Sequence, residues 1–79
     1  MLTLRIVSPE RVVFTGEVDN VLVPGTVGQF EILNDHAPII STLVEGKVVY
    51  SVKGTKKELR IVGGFVEVKK NEVSLCVEI

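Results

Sequence analysis

The sequence predicts an all-β fold, a sandwich or barrel of short strands, on three observations. Apolar residues recur with a period of two, valine is abundant, and turn residues punctuate the chain at short intervals. Successive side chains of a strand point to opposite faces, so alternation gives each run a core edge and a more polar edge. Valine, branched at Cβ, suits a pleated surface better than a helix. Short runs separated by turn residues at regular spacing are the pattern of a sandwich or barrel.

The elements follow in chain order. Leu2, Leu4 and Ile6 alternate with Thr3 and Arg5, and Ser8-Pro9-Glu10 ends the run. Val12 to Thr15 form a second run closed by Gly16. Between Val18 and Val21 the apolar spacing lengthens to three, which predicts a bulge or a change of sheet. Val21-Leu22-Val23 lead to the turn residues Pro24-Gly25-Thr26, and Phe30 to Leu33 lead to Asn34-Asp35. A short helical turn over Asp35 to Ile40 is conceivable but is interrupted by Pro38. Glu45-Gly46 and Lys53-Gly54 bracket a run in which Val48, Tyr50 and Val52 share a phase. Leu59 and Ile61 alternate with Glu58 and Arg60. Gly63-Gly64 imply a sharp bend or a close backbone approach, and a plain corner between strands is the ordinary reading. After Lys70-Asn71, the residues Val73, Leu75, Val77 and Ile79 make a last apolar edge.

The 79 residues are enough for one domain, 1–79, with a modest core. A chain this short buries roughly 60% of its unfolded surface, so partner contacts weigh heavily in its stability. Charged residues make up 24% and the net charge is −1, with basic and acidic residues interspersed. Nucleic-acid binding needs a clustered basic face and exposed aromatics, and neither is evident. The one dense basic cluster, Lys53 to Lys57, reads as a solvated turn. The single cysteine, Cys76, forms no internal disulfide and fits a reducing compartment. The N-terminus lacks the pattern of a signal peptide, and no apolar run approaches the ~20 residues that span a bilayer, so direct membrane insertion is not expected.

The inventory for chemistry is thin. His36 is the only histidine and Cys76 the only cysteine, so no zinc spacing exists. Cys76 has no adjacent cation or helix N-terminus to activate its thiol. The acidic residues are scattered without an evident dyad. Pro24 to Gln29 lacks the lysine and following helix of a phosphate loop. No catalytic residue, metal site or cofactor is expected. The stretch from Val23 to Ser41 holds two of the three prolines and the histidine. Its glycine-bearing loop, with Val27 and Phe30 as apolar tips, reads as a docking element.

That stretch, Pro24-Gly25-Thr26-Val27-Gly28-Gln29-Phe30-Glu31-Ile32-Leu33 followed by His36-Ala37-Pro38-Ile39-Ile40, resembles the signature of the epsilon subunit of the rotary F-type ATP synthase. Val7-Ser8-Pro9-Glu10 with Val13-Phe14-Thr15-Gly16 is similar to that family's first hairpin. Gly46-Lys47-Val48, Gly63-Gly64-Phe65-Val66-Glu67-Val68 and Asn71-Glu72-Val73 continue the likeness over essentially the whole chain. The resemblance implies a flattened antiparallel sandwich or barrel of about ten short strands. It implies a non-catalytic rotor subunit that docks on gamma and the c ring and helps to couple proton transport to ATP synthesis. The expected place is the cytoplasmic face of a bacterial membrane, reached through partners. By the same resemblance, Gly28, Gln29, Phe30 and Glu31 face the c ring, and Ser8 and His36 face gamma.

Two departures accompany the likeness. An acidic residue is common in the family at the position of Gln29, which here is uncharged. The usual epsilon subunit continues into a pair of C-terminal helices, and this chain stops at Ile79, so it is expected not to insert a helix among catalytic subunits. The alternative reading is a carrier domain of the biotinyl or lipoyl kind, with Lys53-Gly54-Thr55-Lys56-Lys57 as a lysine-bearing hairpin tip. The usual acidic or methionine neighbour of an attachment lysine is absent there. A small enzyme is a third reading, disfavoured by the thin inventory.

Overall fold

The alternation becomes strands along nearly the whole chain. A computed structural model describes all residues, Met1–Ile79. It contains nine strands: β1 (Leu2–Val7), β2 (Val12–Val18), β3 (Asn20–Gly25), β4 (Gly28–Ile32), β5 (Ile39–Leu43), β6 (Gly46–Val52), β7 (Thr55–Ile61), β8 (Gly63–Lys69) and β9 (Glu72–Glu78). The all-β expectation holds, with nine strands where about ten were expected. All are linked in one sheet of order β2-β1-β9-β8-β5-β3-β6-β7, with β4 on the free side of β3. The sheet curls on itself. The layer β2-β1-β9-β8-β5 meets the layer β4-β3-β6-β7 along a narrow seam, the Gly25↔Leu43 bridge between β3 and β5.

The pairings are antiparallel with one exception: β1 runs parallel to β9, from Thr3↔Glu72 to Val7↔Cys76. This corrects the purely antiparallel expectation. Parallel neighbours need a long crossover, and here the rest of the chain supplies it. Local turns set the remaining pairs. Lys53 (φ 51°) and Gly54 (φ 81°) form a two-residue loop closing β6 and β7, and Lys70 (φ 52°) and Asn71 (φ 62°) do the same for β8 and β9. Positive φ at both central residues is the hairpin turn whose twist matches the strands.

One phase of each strand fills the core. Leu2, Leu4 and Ile6 of β1, Val66 and Val68 of β8, and Val73, Leu75 and Val77 of β9 belong to one buried cluster with Val21, Val23, Ile32, Val48, Tyr50 and Ile61 of the other layer. Each such side chain contributes about 1.5–3 kcal/mol by leaving water. The rings of Phe14 on β2 and Tyr50 on β6 lie 4.7 Å apart and bring the open side of the curl together.

Four expectations are refined by the tertiary structure. The lengthened spacing at Val18–Val21 is a change of strand. Asp19 sits at the bend, donates its N–H to the Ser51 carbonyl at 2.8 Å and accepts the Gly54 N–H at 3.0 Å. No helical turn forms over Asp35 to Ile40: Asp35 takes φ 64°, and Ile39 already opens β5, where pairing with β8 uses its backbone. Ile79 lies just beyond β9 and is exposed, so the last apolar edge ends at Val77. Gly63 and Gly64 both lie within β8, and the close approach is at Gly64. A Cβ there would stand 2.2 Å from the Cys76 carbonyl oxygen, with φ at +146°.

Candidate docking site

The β3–β4 hairpin carries the loop singled out in the sequence. Gly25 pairs with Gly28, leaving Thr26 and Val27 as a two-residue tip. Neither tip residue has positive φ, and Gly28 takes up the twist at +137°, a conformation open mainly to glycine. Along β4, Gln29 and Glu31 fall on the outer face, opposite Pro24 and Leu22 of β3. Both are exposed. Phe30 points the other way. It packs on the core and over Gly25, where a Cβ would meet its ring at 2.9 Å. Phe30 is therefore not an apolar tip, because the pleat that sends Gln29 outward sends its neighbour inward. Val27 is the tip and is fully exposed.

Below this tip the outer face of the β3-β6-β7 layer forms a shallow groove floored by Leu22, Pro24, Gly46 and Val49, with Gln29 on one rim. Its charges are compensated within the chain. Lys47 pairs with Glu58 at 3.5 Å, and Arg60 pairs with Glu45 at 3.4 Å. The Asn20 amide donates to the Glu31 carboxylate. Exposed pairs of this kind contribute little to stability, and Glu31, bonded only to a neutral amide, keeps its negative charge on the same face as Gln29.

Ser8 closes the β1–β2 connection. Its N–H donates to the Arg11 carbonyl at 2.9 Å, and its hydroxyl accepts the Arg11 N–H at 3.3 Å. It borders a row of apolar side chains that the sequence reading missed. Val12, Val7, Cys76 and Phe65 stand in register across β2, β1, β9 and β8 on the outer face. Their signal in the sequence was apolar residues out of phase with the core set, as Phe65 is with Val66 and Val68. Val12 and Phe65 are about half exposed. Ser8, Val7, Phe65 and Cys76 together line a shallow depression with Gly64.

His36 lies at the other end of the molecule. Its N–H donates to the Leu33 carbonyl and its Nδ1 is 2.8 Å from the Ala37 carbonyl. The adjacent Asp35 N–H donates to the Asn71 side-chain oxygen at 2.6 Å, tying this loop to the β8–β9 turn. Asn71 in turn accepts the Thr3 N–H on its carbonyl, at the start of β1. Ser8 follows the end of β1, so the two residues are separated by that strand's length, roughly 20 Å. The same geometry keeps Cys76, beside Val7, away from His36, and no Cys–His pair forms. No group of three or more His, Cys, Asp or Glu side chains is placed to hold a metal ion. Lys53 and Gly54 do occupy a hairpin tip, as the carrier reading required.

Burial raises the pKa of Tyr50. Tyr50 is part of the core and not of the docking surface.

These features describe a small all-β wedge with exposed glycine-bearing and apolar surfaces and no gathered catalytic groups. Residues 1–79 match the ATP synthase delta/epsilon chain, beta-sandwich domain, and the chain belongs to that family. It is 45% identical over 78 residues to the ATP synthase epsilon chain of Leptospira borgpetersenii, covering 98% of this chain and 61% of that one. It is 40% identical over 77 residues to the epsilon chain of Chlorobaculum tepidum, covering 96% of this chain and 88% of that one. The chain thus spans about three fifths of the Leptospira relative's length. Among solved structures, its fold is similar to a chain of the Euglena gracilis mitochondrial ATP synthase (TM-score 0.90, 20% identity, 96% of this chain and 49% of that one). It is also similar to a chain of the Tetrahymena thermophila mitochondrial ATP synthase central stalk and c-ring (TM-score 0.85, 15% identity, 99% and 63%).

Proposed function

We propose that this chain is the β-sandwich part of a non-catalytic central-stalk subunit of a rotary F-type ATP synthase, docking on gamma and the c ring so that ion flow is coupled to ATP synthesis. The observation that carries the reading is family membership over all 79 residues. The Tetrahymena neighbour comes from a central stalk and c-ring assembly, which supports the placement in the rotor. A subunit in this position transmits torque by rigid contact. A curled sheet with a single continuous core suits that task because a close-packed interior transmits strain.

In this reading the β3–β4 hairpin meets the ring through Gln29, with Gly28 and Glu31 beside it and Phe30 bracing the tip from inside. Ser8 meets gamma together with the apolar row Val12, Val7, Cys76 and Phe65. His36 meets gamma at the far end of β1, so in this reading gamma runs along that strand. No helix of the chain is long and apolar enough to cross a membrane, and attachment through partners on the cytoplasmic face of a bacterial membrane fits the bacterial relatives named above.

Site-directed crosslinking in the assembled enzyme tests the assignment. Crosslinks from Gln29 to a c subunit, and from Ser8 and His36 to gamma, are expected. Crosslinks formed with the opposite partners would reject it. A stoichiometric cofactor adduct on Lys53, seen by intact mass, would instead restore the carrier reading.

A further inference from the structure

The sheet order ends at β2 on one side and at β7 on the other, so each presents a row of unpaired backbone groups. Such edges invite pairing with another chain, and proteins blunt them with charges, proline or brevity. β7 carries Lys56, Lys57, Glu58 and Arg60. β4, and β5 over most of its length, also have an open side, but each is five residues long and β5 begins behind Pro38. β2 has none of these devices beyond a bulge at its head. It is seven residues long, contains no proline, and Glu17 is its only charge. The register shift falls at Val13, which leaves Phe14 to Val18 as regular strand.

The direction of the free groups follows from the hydrogen bonds. The Thr3 N–H points to the β9 side, where it donates to the Asn71 carbonyl. Backbone groups alternate sides along a strand, so Leu2, Leu4 and Ile6 face β2, and their partners Val18, Gly16 and Phe14 bond to β1. Thr15 and Glu17 are left with N–H and C=O aimed away from the sheet. Asp19, next in this phase, already uses its N–H in that direction, on the Ser51 carbonyl at 2.8 Å. Thr15 and Glu17 are exposed, and the Glu17 side chain stands on the outer face opposite Thr3, clear of the edge itself.

We infer that the free edge of β2 takes an added strand from the partner that covers Ser8 and Val12, so that this contact is held by a backbone ladder as well as by side chains. The inference rests on the reading above in taking that partner to be gamma. Continuity selects this occupant: Ser8 bonds to Arg11 at the head of β2, and Val12 is the strand's first residue. A second copy of the chain fits the edge poorly. Paired about Gly16, two β2 strands would bring both Glu17 carboxylates onto one face as diagonal neighbours, and like charges across strands repel. Paired nearer the head, each bulge would meet the other strand's regular half and interrupt the ladder twice. A regular, uncharged extended segment meets neither obstacle, and strand addition of this kind draws its affinity from main-chain bonds.

Hydrogen exchange of the chain, alone and with purified gamma, reads the ladder amide by amide. In the free chain Thr15 and Glu17 are expected to exchange fast, and Gly16 and Val18 slowly. With gamma, Thr15 and Glu17 are expected to slow by about tenfold or more. Thr15→Pro removes one outward donor at an edge position where proline is tolerated, and is expected to weaken gamma binding about tenfold, whereas Thr15→Val keeps the N–H and stays within about twofold. Thermal unfolding shows whether Thr15→Pro is folded, and the exchange result stands without it. Gamma bound with Thr15 and Glu17 still exchanging fast, or undiminished binding by a folded Thr15→Pro, would overturn strand addition while leaving gamma docking in place. Exchange at these two amides that slows in the free chain as its concentration rises would assign the edge to a second copy and overturn the occupant. Failure of gamma to bind the chain would remove the reading above and this inference with it.

Discussion

Replacing Gly64 with alanine isolates the packing constraint that shapes the five-stranded layer. Two costs meet at this residue. Its φ of +146° lies where side chains are rarely found, and an added Cβ would stand 2.2 Å from the Cys76 carbonyl oxygen and 2.8 Å from the Val77 Cα. Both are backbone atoms of the paired strand β9, so no rotamer change relieves the overlap. Gly28 provides the control, with φ +137° and nothing within 4 Å of its Cβ position. Conformational strain alone costs about 1–3 kcal/mol at such a site. Forcing atoms into a packed region adds about 1–3 kcal/mol more. Gly28→Ala is therefore expected to lose about 1–2 kcal/mol, and Gly64→Ala about 3–5 kcal/mol. A domain of this length has a total stability of about 4–12 kcal/mol, so the second variant approaches the limit of folding. Each kcal/mol moves the midpoint by about 4–8 °C in a domain of this size. Urea and thermal unfolding followed by circular dichroism give both values. Gly63→Ala, whose Cβ would meet only the Leu43 carbonyl oxygen at 3.7 Å, is expected to be the mildest of the three. If Gly64→Ala were no more damaging than Gly28→Ala, the close approach of β8 and β9 would not be what glycine serves there.

Two further outcomes follow from the core and the turns. Tyr50 is the only tyrosine, and its pKa is raised by burial. The unfolded chain then loses the phenolic proton first, near pH ~10, while the native state still holds it. Tyr50 thus favours folding fully below about pH 10 and progressively less above it, as pH rises through the native pKa. Denaturation midpoints measured across this range, beside a tyrosinate absorbance titration, should show an alkaline decline that is shallower in Tyr50→Phe; identical slopes would contradict the burial argument. Asn71 occupies φ 62° and bonds to Asp35 through both side-chain atoms. Asn71→Ala is expected to cost about 1–2 kcal/mol in chemical denaturation, from the lost bonds and the strained φ, and to increase hydrogen exchange at the Asp35 amide.

What the amino-acid order determined unaided is the local part of the structure. The period of two assigned Leu2, Leu4 and Ile6, and later Val73, Leu75 and Val77, to the buried side. That is legible because a strand's two faces are fixed by its own geometry. The turns at Lys53-Gly54 and Lys70-Asn71 were legible for the same reason: their requirements are met within four residues. The β3–β4 loop was singled out as a docking candidate by its glycines and apolar content, and the family likeness was carried by its ordered residues. Tertiary structure alone decided the rest. The parallel pairing of β1 with β9 joins the two ends of the chain, and no periodicity records which distant strand becomes a neighbour. Phe30 was displaced from the surface by the register of its hairpin and the vacancy over Gly25. Ser8 and His36, grouped together by resemblance, were parted by the length of β1. Non-local contacts depend on how the whole sheet twists and curls, and a run of residues read by itself carries only its own two faces.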